Sequence, residues 1–345
     1  MMYIIKILTF WIPIKKWRKN CRNKLLNLFL LKRFMRKVTK KYPEGIFLLS
    51  PHSGIGEFVQ SLCLMKALKH KISKQIVIIT SKKTEEDICK LYNNTVYCYY
   101  DPNLKIYETN NISESLEPGK LYPFYALPKP TAIKRTKDID FLKDFFLLPQ
   151  NAKIEKIKPH RPKKIDDSFL KLENIFKTQK TILLFPEANT YDSTVVTNEL
   201  WIEVASRLQN AGYTCIFNSN EVFKGFLNIF LPIDKTMYLS SLATTIITFR
   251  SGLSELLALA TNCKMLVIYP NGTTNLFKKE CNINIDCFVE RLKNSPIILE
   301  DPNNPVVSSF KVGSIPENFE RKNCKNFYYD FDNVKFINFL MEEIS

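Results

Sequence analysis

Short apolar runs alternate along the chain with longer segments whose apolar positions recur every three or four residues. Gly45–Ser50, Gln75–Thr80, Thr95–Tyr100, Thr181–Phe185, Thr214–Asn218, Thr245–Phe249 and Met265–Tyr269 are runs of strand length, nearly free of charge. Such continuous runs suit strands buried on both faces. Between them, Glu57–His70, Thr84–Tyr92, Asn198–Ala211, Asp234–Ala243 and Gly252–Ala260 carry the helical period. Strand–helix alternation predicts right-handed βαβ units and parallel sheets, an α/β fold. The alternation stops over Asp101–Pro162, which is proline-punctuated, with one helix expected near Asp138–Leu147. Lys153–Lys164 is basic and proline-broken, and is the expected linker. The reading is two Rossmann-like β/α/β domains facing a cleft, over 42–160 and 161–345, behind a leader of residues 1–41.

Charge changes the picture of that leader. The 345 residues hold 50 Lys+Arg and 34 Asp+Glu, a formal net charge of +16. Thirteen of the basic residues and none of the acidic ones precede Tyr42, so residues 42–345 carry a net charge of only +3. Trp17, Cys21, Leu25, Leu28, Leu31 and Met35 recur at helical spacing within Lys15–Lys40. A basic amphipathic helix of this kind suits an anionic membrane surface. The other reading is a helix packed on the protein's own core with a solvated basic face. Nucleic acid is not expected as a partner, because no aromatic RNA-binding signature accompanies the charge. Met1–Pro13 is too short to span a bilayer, and its charges follow the apolar stretch, unlike a secretory signal.

Nine scattered cysteines without a Cys-x-x-Cys, and three histidines, give no zinc spacing. Reduced thiols in a reducing compartment are expected. Metal and cofactor are both expected to be absent.

Candidate chemistry lies where strands end. His52-Ser53-Gly54-Ile55-Gly56-Glu57 joins the first strand to a helix, and its glycines permit a tight turn at free helix amides. It lacks the third glycine of a dinucleotide fingerprint and the Lys-Ser/Thr of a P-loop. Glu57 is either a general base for an acceptor hydroxyl or a carboxylate complementing the helix dipole. Arg250-Ser251-Gly252-Leu253-Ser254-Glu255 repeats the arrangement, with Ser251 as N-cap. It reads as a diphosphate-sized anion site in which Glu255 accepts from a sugar hydroxyl, or as a capped helix with an exposed arginine. Pro186-Glu187-Ala188-Asn189-Thr190 and Asn218-Ser219-Asn220-Glu221 also follow strands.

These turns resemble those of the GT-B glycosyltransferases, most closely the heptosyltransferase group, glycosyltransferase family 9. Gly54-Ile55-Gly56-Glu57 and the helix through Leu68 resemble the family's opening Gly-x-Gly-Asp turn. Phe185-Pro186-Glu187-Ala188 stands where the family has a Pro-Gly turn. Arg250-Ser251-Gly252-Leu253-Ser254-Glu255 stands at its Asp-Ser-Gly-x-x-His turn. The likeness covers roughly 45–70 and 180–275. Glu57 replaces an aspartate, Arg250 an aspartate and Glu255 a histidine, which reverses charge at the donor turn.

The resemblance implies an acceptor-binding first domain, a donor-binding second domain and a last helix that packs back on the first. It implies metal-independent, inverting transfer from a nucleotide-sugar to a lipid-linked or surface glycan at the inner, cytoplasmic membrane face. Glu57 would be the base. Arg250, Ser251, Gly252, Glu255, Glu187 and Asn189 would bind the donor, with His52, Ser53, Gly54 and Gly56 on the acceptor loop. The alternatives are transfer of another nucleotide-activated group, and a non-catalytic scaffold bound to membrane or nucleic acid.

Overall fold

The uncharged apolar runs become the central strands of two parallel sheets. The structure, a computed structural model, describes residues 9, 15–50, 55–92, 95–104, 112, 116–124, 138–187, 196–249, 251–260, 263–270, 324–329 and 333–344. In chain order the helices are α1 (Lys15–Lys41), α2 (Ile55–Leu62), α3 (Met65–Ile72), α4 (Lys83–Leu91), α5 (Asp138–Phe145), α6 (Asp167–Thr178), α7 (Asn198–Asn210), α8 (Ile233–Leu242), α9 (Gly252–Ala260) and α10 (Asn333–Ile344). The strands are β1 (Gly45–Leu49), β2 (Gln75–Thr80), β3 (Tyr97–Tyr100), β4 (Leu121–Pro123), β5 (Thr181–Phe185), β6 (Thr214–Asn218), β7 (Leu227–Ile229), β8 (Thr245–Phe249), β9 (Lys264–Pro270) and β10 (Cys324–Tyr329). The fold class is the expected one: α/β, with Rossmann-like sheets.

The chain gathers into two units, 1–52 with 68–124, and 53–67 with 125–345. The first holds a four-stranded sheet in the order β3-β2-β1-β4. Its pairs are parallel, with Gly45 opposite Gln75, Phe47 opposite Leu121 and Val77 opposite Tyr97. All five β1 residues are buried. One face is covered by α1: Val38 is 0% exposed in a cluster with Phe47, Leu49, Val77, Ile79, Tyr99 and Leu121, and Leu31, Phe34 and Met35 pack against it. Phe34 meets Tyr99 edge-on at 5.6 Å. Lys37 lies 5.7 Å over the Tyr99 ring and Lys41 lies 5.3 Å over the ring of Tyr42. The last turns of the leader therefore belong to a hydrophobic core. Earlier in the helix, Trp17, Leu28 and Phe29 are 63%, 53% and 46% exposed.

The second unit holds six parallel strands in the order β10-β9-β8-β5-β6-β7. Numbered from β5, this is the doubly wound order 3-2-1-4-5-6 in reverse. β5 and β8 are buried throughout. Trp201 of α7, 0% exposed, meets Phe249 at 5.6 Å and Phe336 at 6.3 Å, both edge-on. Phe336, Ile337, Leu340 and Ile344 of α10 join this core, and the Tyr213 hydroxyl donates to the Ile344 carbonyl at 2.8 Å. The last helix thus packs on the core of the unit that carries β5–β10.

The expected helix Glu57–His70 is broken into α2 and α3. At the break the Cys63 carbonyl accepts the Glu155 N–H at 2.8 Å, so the segment after α5 occupies an acceptor that a continuous helix would use. Two residues further along this segment, Ile157 is buried and its N–H donates to the Leu259 carbonyl of α9 at 3.0 Å. Lys153–Lys164, the expected linker, is stitched to α2 and α9 of the second unit.

Arg161, at the end of that segment, meets Glu173 of α6 through two guanidinium nitrogens, at 3.0 and 2.7 Å. Lys177 and the Tyr238 hydroxyl donate to the same carboxylate at 2.7 and 2.6 Å. Arg161, Lys177 and Tyr238 hold the Glu173 carboxyl down at about 2, below an ordinary value of 4.5. A depressed folded-state value stabilises above the unfolded value, and the gain disappears as pH falls through the folded one. The urea midpoint of the second unit is therefore expected to fall from about pH 5 to about pH 3, and Glu173→Gln to flatten that slope. An unchanged slope in the variant would place the acid-sensitive group elsewhere.

Candidate functional site at the switch point of the second sheet

In the second sheet the strand order reverses between β5 and β8. Connections leave these neighbours toward opposite sides, which opens a crevice at their carboxyl ends. β5 runs into Pro186 and Glu187, and β8 runs into the turn that starts α9.

Glu187 is tied down by the turn after β6. Its Oε1 accepts from the Ser219 hydroxyl, from the Asn220 N–H at 3.0 Å and from the Glu221 N–H at 3.3 Å. The Ser219 Oγ also accepts the Glu221 N–H at 2.8 Å, and Asn198 Nδ2 of α7 donates to Glu221 Oε2 at 2.6 Å. Charge-assisted bonds of this kind are roughly twice as strong as neutral ones. Glu187 was expected as a donor ligand. The structure instead spends one carboxylate oxygen on shaping the rim, because successive N–H groups of a tight turn converge on it.

At β8 the first turn of α9 is capped reciprocally. Ser251 Oγ accepts the Ser254 N–H at 3.2 Å, while Ser254 Oγ accepts the Ser251 N–H at 2.9 Å. The Ser254 hydroxyl donates to the Ser251 carbonyl at 2.7 Å. Ser251 is thus the expected N-cap, and Ser254 is its partner, signalled by the Ser-x-x-Ser spacing.

Gly252 and Gly56 have a shared purpose. A Cβ on Gly252 would stand 2.6 Å from the Gly56 nitrogen and 2.7 Å from the Ile55 Cβ. The first turns of α2 and α9 therefore meet main chain to main chain, which brings two positive helix ends together. Glu255, 2% exposed, lies in that contact: a Cβ on Gly56 would be 3.3 Å from both of its carboxylate oxygens. Its negative charge offsets the two helix ends. Burial pushes the Cys63 thiol well up, with the Glu255 charge adding to it and Lys143 opposing. Lys143 of α5 is itself 1% exposed and donates to the Gln150 carbonyl at 2.6 Å. No spacing signal announced this buried lysine. Glu255, expected to accept from a sugar hydroxyl, is turned inward, since the glycine at position 56 leaves room for its carboxylate there.

The structure thus brings Gly56, Ser251, Gly252 and Glu255 together, with Glu187 at the neighbouring strand end. Glu57 lies in the first turn of α2, and its side chain is outside the described residues. His52, Ser53, Gly54, Asn189 and Arg250 are also outside them.

No family model matches the sequence, and no curated protein matches it. Several solved structures resemble the fold. Escherichia coli ADP-heptose lipopolysaccharide heptosyltransferase II matches at 12% identity and a TM-score of 0.49, over 87% of this chain and 99% of that one. The E. coli heptosyltransferase WaaC, solved with ADP, matches at 12% and 0.44, over 72% and 97%. TibC, an iron-containing dodecameric glycosyltransferase from enterotoxigenic E. coli, matches at 13% and 0.45, over 64% of this chain. The chain spans 57% of the length of TibC. The expectation that no metal or cofactor is involved is withdrawn beside TibC, which is described as iron-containing. Among the described residues no group of three or more His, Cys, Asp or Glu is placed to hold a metal ion.

Proposed function

We propose that the chain is a glycosyltransferase that binds a nucleotide-sugar at the β5/β8 switch point and transfers the sugar to a surface glycan of the lipopolysaccharide or capsule type. The observation that carries the reading is the doubly wound second sheet, with a capped, glycine-backed helix start and a carboxylate-pinned turn at adjoining strand ends. The positive end of such a helix suits the diphosphate, and Arg250 adds a positive charge in the sequence beside it. Glu187 and Glu255 act as positioning residues, one holding the rim and the other seating α2 against α9.

In this reading Glu57 is the general base. An acceptor hydroxyl oxygen attacks the anomeric carbon, the bond to the diphosphate breaks, and the hydroxyl proton passes to Glu57. Attack from the face opposite the leaving group inverts the anomeric configuration. The basic face of α1, with Trp17 and Leu28 exposed, would hold the enzyme at the anionic inner face of the membrane where the acceptor resides. None of the helices among the described residues is long and apolar enough to cross a membrane.

A thermal-shift screen of nucleoside diphosphates and nucleotide-sugars tests the donor site. Stabilisation by a nucleotide and its loss in Arg250→Ala are expected, whereas silence toward every nucleotide overturns the reading. With the donor found, Glu57→Gln is expected to cut transfer at least 100-fold while leaving donor affinity unchanged. Full activity of that variant would remove Glu57 from the chemistry.

A further inference from the structure

The segment Lys153–Lys164 lies along the second unit with its cations turned to solvent. Two backbone bonds pin it, from the Glu155 N–H to the Cys63 carbonyl at 2.8 Å and from the Ile157 N–H to the Leu259 carbonyl at 3.0 Å. Ile157 and Pro162 are buried and Ile154 and Pro159 half-buried, whereas Lys153, Lys156, Lys158, Arg161, Lys163 and Lys164 are exposed. Pro159 and Pro162 hold the residues before them extended. Arg161 is paired with Glu173, but among the described residues none of the five lysines has an ion-pair partner. Asp166, just beyond the segment, caps α6 and faces Lys235 at 3.6 Å. Six Lys/Arg and one acidic residue give these twelve positions a net charge of +5. Residues 42–345 together carry +3, so the other 292 of them net −2. The positive charge of the body is concentrated in one strip.

We propose that this strip is a docking track for an acidic linear glycan, and that the acceptor is of that class; the second part rests on the transferase reading. A membrane surface would call for protruding apolar anchors among the cations. Here the apolar residues between the lysines turn inward. Single-stranded nucleic acid would call for aromatic platforms on which bases stack, and the segment has no Phe, Tyr or Trp. Cations alone, on a backbone fixed before binding, suit a flexible polyanion that carries charge but no bases. Twelve extended residues reach about 36 Å, long enough to hold several sugar units. Lys156 and Lys158 project about 7 Å apart, a sparser spacing than nucleic-acid phosphates present. The strip crosses the far ends of α2 and α9, the two helices whose first turns meet at the donor turn. One length of α9, about 13 Å, separates the track from that turn, so the chain is held apart from its reacting end.

The test measures binding of polygalacturonate, with neutral dextran as control, to the full chain by calorimetry at low and high salt. Polygalacturonate is expected to bind and dextran not to. The triple variant Lys156→Glu, Lys158→Glu, Lys163→Glu is expected to lose about tenfold or more in affinity. Reversing Lys15, Lys19 and Lys24 of α1 to Glu changes net charge equally and is expected to cost much less. An equal loss in the two variants overturns the track, because net charge alone would then explain binding. Tighter binding of single-stranded DNA than of polygalacturonate at the same salt overturns the glycan assignment. So does loss of flotation on phosphatidylserine vesicles in the Lys156/Lys158/Lys163 variant. A nucleotide response in the thermal-shift screen without polygalacturonate binding removes the track and leaves the transferase reading standing. Polygalacturonate binding with silence toward every nucleotide supports the track and removes the transferase.

Discussion

Replacing Gly252 with alanine is expected to cost the second unit about 3 kcal/mol, the upper range for overpacking a close contact. The added Cβ would stand 2.6 Å from the Gly56 nitrogen, 2.7 Å from the Ile55 Cβ and 2.9 Å from the Ile55 carbonyl carbon. None of these atoms can swing aside on a side-chain torsion, so α2 or α9 must move as a body. Gly56→Ala is the natural comparison. Its Cβ would have the end of the Glu255 side chain as its nearest neighbour, at 3.3 Å, and that end can yield by a few tenths of an ångström. A loss of about 1 kcal/mol is expected there. Urea denaturation gives both values, and hydrogen exchange should place the loosening in α2 and α9. If Gly252→Ala unfolds at the wild-type midpoint, the two helix starts do not meet as described. If it is destabilised and also loses nucleotide binding, the contact and the proposed donor site share one support.

This pair also shows what the sequence discloses and what it withholds. Gly-Ile-Gly-Glu and Arg-Ser-Gly are both legible as glycine turns between a strand and a helix, and Gly56 and Gly252 fall in the first turns of α2 and α9. Their glycines read as openings for a ligand, yet Gly56 and Gly252 serve first to let two main chains touch. Nothing in either turn alone reveals that the other lies against it, since nearly 200 residues separate them. Glu187 carries the same lesson. Its position after β5 is legible, but the three donors that fix it come from Ser219–Glu221 across a strand pairing.

The central strands were legible because burial on both faces demands uninterrupted apolar runs. The edges were not. β4 is three residues long and ends in proline, and β7 has one exposed and two half-buried residues, so neither offers a run or an alternation. Helix α6 is a different kind of omission. Asp166 accepts the Phe169 N–H at 2.8 Å, and Phe169, Leu172 and Phe176 are buried at helical spacing. An N-cap aspartate before an apolar stripe is a start signal that the sequence plainly displays.

Removing residues 2–40 is expected to unfold the first unit, whereas removing residues 2–29 is expected to leave it folded. The apolar stripe of the leader is legible as one continuous pattern, but its two ends meet different surroundings. Val38 is fully buried, and Leu31, Phe34 and Met35 pack on the same cluster. Burying a large apolar side chain contributes about 1.5–3 kcal/mol, so losing these four approaches the whole stability of a small domain. The first half holds seven of the leader's basic residues together with Trp17, Leu28 and Phe29. At about 1 kcal/mol per basic residue near an anionic surface, this half would supply most of the proposed attachment. Circular dichroism and thermal unfolding separate the two truncations, and flotation with phosphatidylserine vesicles at low and high salt measures attachment. The shorter truncation should fold and fail to float. If it floats as the full chain does, the exposed turns of α1 are not the membrane contact. If the longer truncation unfolds at the temperature of the full chain, the last turns of α1 are not part of the core. A fully membrane-seated leader predicts that the two truncations behave alike. A helix divided between a sheet and a lipid surface predicts that they part at Leu30, where packing takes over from exposure.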